Sequence, residues 1–187
     1  MIYFDNGSTT KISEPVYEKL CDFLKNNFAN PSSLHSIGFE AEKELIEARK
    51  KVANALNVTP DEIYFTSGGT ESDNWALFGT VRACRYKGKR GRHIITSCIE
   101  HHAILNSCKA LEKQGYRVTY LPVGERGVIS LRDLERAIRN DTILISIMYA
   151  NNEIGTIQPI DEIAKIAKKY NIYFHTDAVQ AYMHIPI

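Results

Sequence analysis

Hydrophobic positions along the chain follow two rhythms that take turns. Val16, Leu20, Phe23 and Leu24 recur at helical spacing after Ser13 and Pro15, which suit an N-cap and a first helical turn. Asn30-Pro31-Ser32-Ser33 breaks that helix. A second helix carries Ala41, Leu45, Ala48, Val52 and Ala55 on one stripe, with Glu40, Glu44, Glu47, Lys50 and Lys51 opposite. Pro60 and Asp61 form a turn. Beyond it, short apolar runs at 63–66, 93–98, 116–121, 142–148 and 172–176 read as strands. Helical patterns at 71–85, 103–114, 131–138 and 160–171 separate them. Gly115 closes one helix, Pro159 opens another, and Ser130 with Asp133 resembles a capping box with Asp in place of Glu.

Strands alternating with helices predict an α/β three-layer sandwich around a mostly parallel sheet. The run 142–148 is apolar throughout, as a strand covered on both faces requires. We expect residues 1–35 to form an N-terminal segment with its helix, and residues 36–187 the alternating core. Parallel sheets place ligands at the carboxyl ends of their strands. That directs attention to residues 67–71, 98–102, 149–155 and 176–181.

Composition narrows the picture. The 187 residues carry 23 Lys plus Arg against 22 Asp plus Glu, a formal net charge of +1. Such balance gives no reason to expect nucleic acid or an anionic membrane as partner. No apolar stretch is long enough to span a bilayer, and the start, MIYFDNGSTT, has no secretory pattern. The cysteines Cys21, Cys84, Cys98 and Cys108 form no CxxC pair, which fits reduced thiols and a cytoplasmic setting. Residues 82–92 hold six basic side chains and no acid, a solvated helix end or a docking patch for an acidic partner.

The four loops hold the unusual residues. Ser67-Gly68-Gly69-Thr70-Glu71-Ser72 joins a strand to a helix, and its glycines, hydroxyls and helix-start N–H groups suit a phosphate or a plain capped turn. The loop is neither a P-loop nor a GxGxxG fingerprint, so a nucleotide-phosphate binder is a weak reading. Glu100-His101-His102 offers an imidazole that can stack, move protons or cap a helix. Cys98 with His101 lacks the further ligands a metal set needs, and no metal is expected. Asn151 and Asn152 supply planar hydrogen-bonding groups or an Asx turn. Asp177, where the last strand leaves the sheet, can meet a protonated cofactor ring nitrogen or cap the next element.

Six motifs in order carry a family resemblance. They are Tyr3 to Thr10 (YFDNGSTT), Asn30-Pro31-Ser32-Ser33, Phe65 to Ser72 (FTSGGTES), Glu100-His101, Asn151-Asn152-Glu153-Ile154-Gly155 and His175-Thr176-Asp177-Ala178-Val179-Gln180. Together they resemble the cysteine desulfurases of the NifS/IscS type, class V, fold-type I enzymes that use pyridoxal 5′-phosphate (PLP). The resemblance implies the large PLP-binding domain of such an enzyme. Gly69 and Thr70 would hold the PLP phosphate, with Gly69 where many relatives have Ala. His101 would stack on the ring and assist proton transfer. Asn152 would contact substrate and ring, Asp177 would pair with the pyridine nitrogen, and Gln180 would bond the ring O3′.

The implied reaction removes sulfur from L-cysteine, giving L-alanine and an enzyme persulfide for iron–sulfur cluster or thio-cofactor assembly. The implied partners are a sulfur-acceptor or scaffold protein and a second copy in a homodimer. In the family the PLP-binding lysine, the persulfide-forming cysteine, the carboxylate-binding arginine and the small C-terminal domain follow the Asp motif. No lysine follows Asp177 here. The chain is therefore expected to be the N-terminal portion of a desulfurase, truncated before the small domain and nearly inactive alone. The alternatives are a selenocysteine lyase or other class V aminotransferase, and an inactive binding module.

Overall fold

A computed structural model describes residues 2–88 and 91–186. They fall into two compact units, one running up to Phe65 and the other starting at Thr66. The helix the sequence reading groups with the alternating core, residues 36–55, lies in the first unit.

In the first unit, α1 spans Glu14–Asn26 and α2 spans Ser36–Ala55. Ser13 occupies the N-cap position of α1, but its backbone carbonyl rather than its side chain meets the first turn, accepting from Val16 N and Tyr17 N. His35 caps α2 by accepting from Gly38 N at 3.2 Å. Gly38 is required there because a Cβ would run into the carbonyl of Ser33. A capping box closes the 3₁₀ turn Pro60–Glu62: the Glu62 carboxylate accepts from Thr59 N and Thr59 Oγ1, each at 2.8 Å.

Two expectations change in this unit. The apolar stripe of α2 is buried only at Ala41 and half-buried at Val52, while Leu45, Ala48 and Ala55 are exposed; α1 buries none of its residues. Residues 63–66 form no strand, because no ladder partner pairs with them among the described residues. The Ile63 carbonyl instead accepts from the Arg49 guanidinium, which lies 4.9 Å above the Phe65 ring.

The second unit opens with α3 (Gly69–Tyr86) and then alternates: β1 (His93–Ser97), α4 (His102–Lys113), β2 (Arg117–Leu121), α5 (Leu131–Ala137), β3 (Thr142–Ser146), α6 (Ile160–Lys169) and β4 (Tyr173–His175). The four strands form one parallel sheet in the order β2-β1-β3-β4. Ile94 pairs in register with Leu144, and Ile95 with Ile145. Because side chains alternate faces, Ile94 and Leu144 join Leu77 and Val81 of α3 and Ile104 and Leu111 of α4. Ile95 and Ile145 turn the other way, onto Leu134 of α5 and Ile163 and Ala167 of α6. Two helix layers thus sandwich the sheet, and β1 and β3 are buried on both faces. Ser130 caps α5 by accepting from Asp133 N at 3.2 Å, and Gly115 ends α4 at φ +87°. Among the described residues, no helix is long and apolar enough to cross a membrane.

His93 opens β1 with its ring fully buried between two hydroxyls, Thr142 Oγ1 at 2.7 Å and Thr119 Oγ1 at 2.8 Å. Burial, aided by the nearby Arg139 and Arg117 charges, pulls its pKa down to about 4. The unfolded chain therefore binds the proton more tightly, and stability falls as pH drops from 6.5 toward 4. We expect an acid-side loss on the order of 3 kcal/mol in urea unfolding. His93→Asn should flatten that slope while lowering stability at neutral pH; an unchanged slope would overturn the assignment.

Candidate functional site

All four strand ends lie at one edge of the sheet, so the loops that leave them are neighbours. At the start of α3, Ser67 donates to Glu71 Oε2 through its N–H (2.7 Å) and hydroxyl (2.6 Å), and these bonds hold the Glu71 pKa below the usual carboxylate range. Thr66 Oγ1 donates to the Gly68 carbonyl at 3.2 Å and shares a 2.7 Å bond with Ser72 Oγ. The first helical bond of α3 runs from Ser72 N to Gly68 O, so the N–H groups of Gly69 and Thr70 open the helix. A Cβ on Gly69 would lie 2.9 Å from Val179 Cγ2, which places the α3 start directly against the loop after β4.

The other loops are tied together across the edge. Glu100, after β1, is buried and accepts from Ser97 Oγ at 2.5 Å and from Met148 N at 3.0 and 2.9 Å. Asn151, after β3, donates to the Ile99 carbonyl at 2.9 Å, and its Oδ1 accepts from Glu153 N and Ile154 N in an Asx turn. Tyr149 N donates to the Asp177 carbonyl at 2.8 Å. The half-buried Asp177 carboxylate accepts from Val179 N at 3.0 Å.

His101 is exposed at the N-cap of α4. Its Nδ1 accepts from Ala103 N at 3.2 Å, so the neutral ring carries its proton on Nε2. His101, Asn152, Cys98 and Glu153 line a cavity of about 290 Å³. Gly69, Asp177 and Gln180 gather on the other side of this edge, Gln180 half-buried in the loop that packs on Gly69.

A buried polar layer lies beneath. Ser146 Oγ bonds His175 Nδ1 at 2.9 Å, and His175 Nε2 faces Asp73 Oδ1 at 3.6 Å. Burial raises the Asp73 pKa to about 7, with the Asp177 charge adding to it, and lowers that of His175. Burial also pushes Glu100 up to about 7, against its hydrogen bonds from Ser97 and Met148. Since burial disfavours both charged forms, the Asp73–His175 contact is a polar contact rather than a strong ion pair.

The sequence pattern marked His101, Asn152, Asp177 and the glycine turn but not Asp73 or the anchoring role of Glu100. A signal for Asp73 exists: Asp73, Leu77, Val81 and Cys84 recur on one helical face, and all four are buried. An acid on a core-facing stripe requires partners, and His175 supplies one.

A parallel sheet whose carboxyl edge carries a glycine turn opening a helix, packed against the loop after the last strand, belongs to the α/β class of proteins that place their ligands at strand ends. The chain belongs to the aminotransferase class-V family, which matches residues 2–187. It is 58% identical over 186 residues to cysteine desulfurase IscS of Methanosarcina thermophila, covering 100% of this chain and 45% of that protein. The structure of a NifS-like protein superposes with a TM-score of 0.93 at 46% identity, covering 100% of this chain and 51% of that one. SspA in complex with cysteine superposes with a TM-score of 0.92 at 40% identity, covering 99% and 52%. The chain therefore spans about half the length of these relatives.

Glu100 provides a test of the stitching. Glu100→Ala leaves Met148 N unpaired in the interior and takes the acceptor from the Ser97 hydroxyl, and should cost about 2–4 kcal/mol in urea unfolding at pH 6. Glu100→Gln, neutral like the buried acid, should cost less than half as much there. Because its folded pKa is raised, Glu100 contributes stability that is lost as pH rises from 4.5 through 7. The Gln variant should show a shallower decline, keeping only the part that Asp73, also raised to about 7, contributes.

Proposed function

We propose that this chain is the cofactor-binding half of a PLP-dependent cysteine desulfurase. The observation that carries the reading is the packing of the Gly69 helix start against the loop that holds the Asp177 carboxylate, within a chain 58% identical to a desulfurase.

The residues fit the group on three counts. Gly69 leaves the space beside Val179 that a Cβ would fill, at a helix start whose N–H groups and dipole favour a phosphate. Asp177 is half-buried and held by Val179 N, so its carboxylate is fixed at the edge, where it would pair with a protonated ring nitrogen. Thr176 Oγ1, its neighbour, is buried with no hydrogen-bond partner among the described residues. When bound, PLP supplies an electron sink that loosens the bonds at the α-carbon of an amino acid.

The chain's own groups then have distinct tasks. Gly69 and Thr70 hold the phosphate through backbone N–H groups and the Thr70 hydroxyl. Asp177 keeps the ring nitrogen protonated. Gln180 donates to the ring O3′. His101 covers one face and offers Nε2 for proton transfer. Asn152, exposed beside the His101 cavity, contacts the substrate. L-Cysteine is the proposed substrate, supported by the cysteine complex of SspA. L-Alanine and a persulfide for an acceptor or scaffold protein are the proposed products, in a cytoplasmic homodimer serving iron–sulfur or thio-cofactor assembly.

No lysine follows Asp177 in these residues, and none of the four cysteines lies in the matched motifs. We therefore expect the 187-residue chain, given PLP and cysteine, to produce alanine and sulfide only at background. A protein of the relatives' length carrying this chain should produce both. In it, Asp177→Ala should lower kcat by about two orders of magnitude and weaken PLP retention on dialysis. Release of selenide far above sulfide from matched substrates would move the reading to a selenocysteine lyase. Absence of any product with retained partner binding would move it to a binding module.

A further inference from the structure

The opposite edge of the sheet holds a second concavity, of about 880 Å³. Arg82 and Arg85, one turn apart near the end of α3, line it with Arg92 just before β1, Gln114 at the end of α4 and Tyr116 just before β2. Among the described residues no acid lines it. Asp141, which shares an adjoining cavity with Arg92, is bonded by Arg117 and accepts from Arg92 N at 3.4 Å. Among the described residues, Arg82, Arg85 and Arg92 have no ion-pair partner. Lys89 and Arg90, from the same basic run, lie outside the described residues.

The wall is fixed in place. Gly91 lies so close to the start of β3 that a Cβ would run into Ile143 and the Asp141 carbonyl, which anchors the chain entering Arg92. A Cβ on Gly115 would come 3.7 Å from Arg92 Nη1, so that guanidinium lies over the α4–β2 turn. The strand β1 separates this edge from Cys98 by about 16 Å, which keeps it apart from the PLP edge.

We propose that this cavity is a second ligand site, for a compact polyanion bearing at least two linked phosphate groups. Three arginines without an ion-pair partner among the described residues line one small-molecule-sized cavity, and a guanidinium fork matches two oxygens of a phosphate. Linked phosphates place three or four charges within a few ångströms, whereas an acidic peptide spreads its carboxylates along an extended surface. The ligand is either inorganic polyphosphate or the phosphate tail of a nucleotide.

Calorimetric titration with inorganic triphosphate, ATP and hexaglutamate tests it. Triphosphate should bind once per chain, and more weakly by about tenfold or more when salt rises from 50 to 200 mM. Arg82→Gln/Arg85→Gln, at exposed positions, should weaken it by about tenfold or more. Arg92→Gln alone should act in the same direction, and Lys19→Gln/Lys25→Gln, an equal charge change on α1, should leave it within about twofold. Circular dichroism confirms that each variant is folded. Equal affinity for ATP supports recognition of the phosphate tail alone; ATP binding about tenfold tighter or more supports a nucleotide. No triphosphate binding, binding insensitive to the arginine substitutions, equal loss in the lysine variant, or tighter binding of hexaglutamate would each overturn the proposal.

Discussion

The parallel pairing of β1 with β3 is the constraint from which the site follows. Parallel strands send all their carboxyl ends to one edge and need helices to return the chain, so one pairing sets both the layers and the location of the loops. The register pairs Thr96 with Ser146. It thereby brings Glu100, three residues past the end of β1, to the backbone N–H of Met148, two past the end of β3. A slip of one residue would turn Ile95 and Ile145 out of one core and Ile94 and Leu144 out of the other, and would separate Glu100 from Met148. Core packing and loop stitching therefore enforce the same register.

That edge concentrates four ionisable groups, and burial sorts them. Asp73 and Glu100 are buried and move toward neutrality, and His175 is disfavoured as a cation. Asp177, half-exposed, is the acid whose charge water can still solvate. Ionising Asp73 or Glu100 would set a second negative charge near Asp177, which is why the Asp177 charge contributes to raising both. The amino edge has the reverse character: Arg82, Arg85 and Arg92 are exposed there, and Asp141 is bonded by Arg117. The two ends of one five-residue strand thus face opposite chemistries.

The alternation of strands and helices from residue 93 onward was legible because each strand is short, apolar and bounded by turn residues, and because β1 and β3 are apolar across both faces. The motif residues were legible as loops for the same reason. Residues 63–66 misled because an extended apolar run reads as a strand whether or not a ladder partner exists, and here Arg49 takes the Ile63 carbonyl. The stripe through Leu45 and Ala48 had the right period, but periodicity reports which face is apolar and not whether anything covers it. The core-facing stripe of α3 marks Asp73 as an acid that needs a partner, but the partners of Asp73 and Glu100, His175 and Met148, lie 102 and 48 residues away. Local pattern carries no such information.

The distribution of roles within the chain also bears on what its residues can do. At the carboxyl edge, hydrogen bonds orient the loop groups: Asp177 is fixed by Val179 N, His101 by Ala103 N, and Asn151 braces the loop that presents Asn152. None is a nucleophile poised to form a covalent bond. A surface of this kind is preorganised by the sheet and its buried acids before any ligand arrives, so it loses little conformational freedom on binding. On the proposed reading, recognition of a cofactor and covalent chemistry on it are separable properties of the fold. The first would reside in the strand ends of these residues, and the second would depend on groups that the matched motifs do not contain.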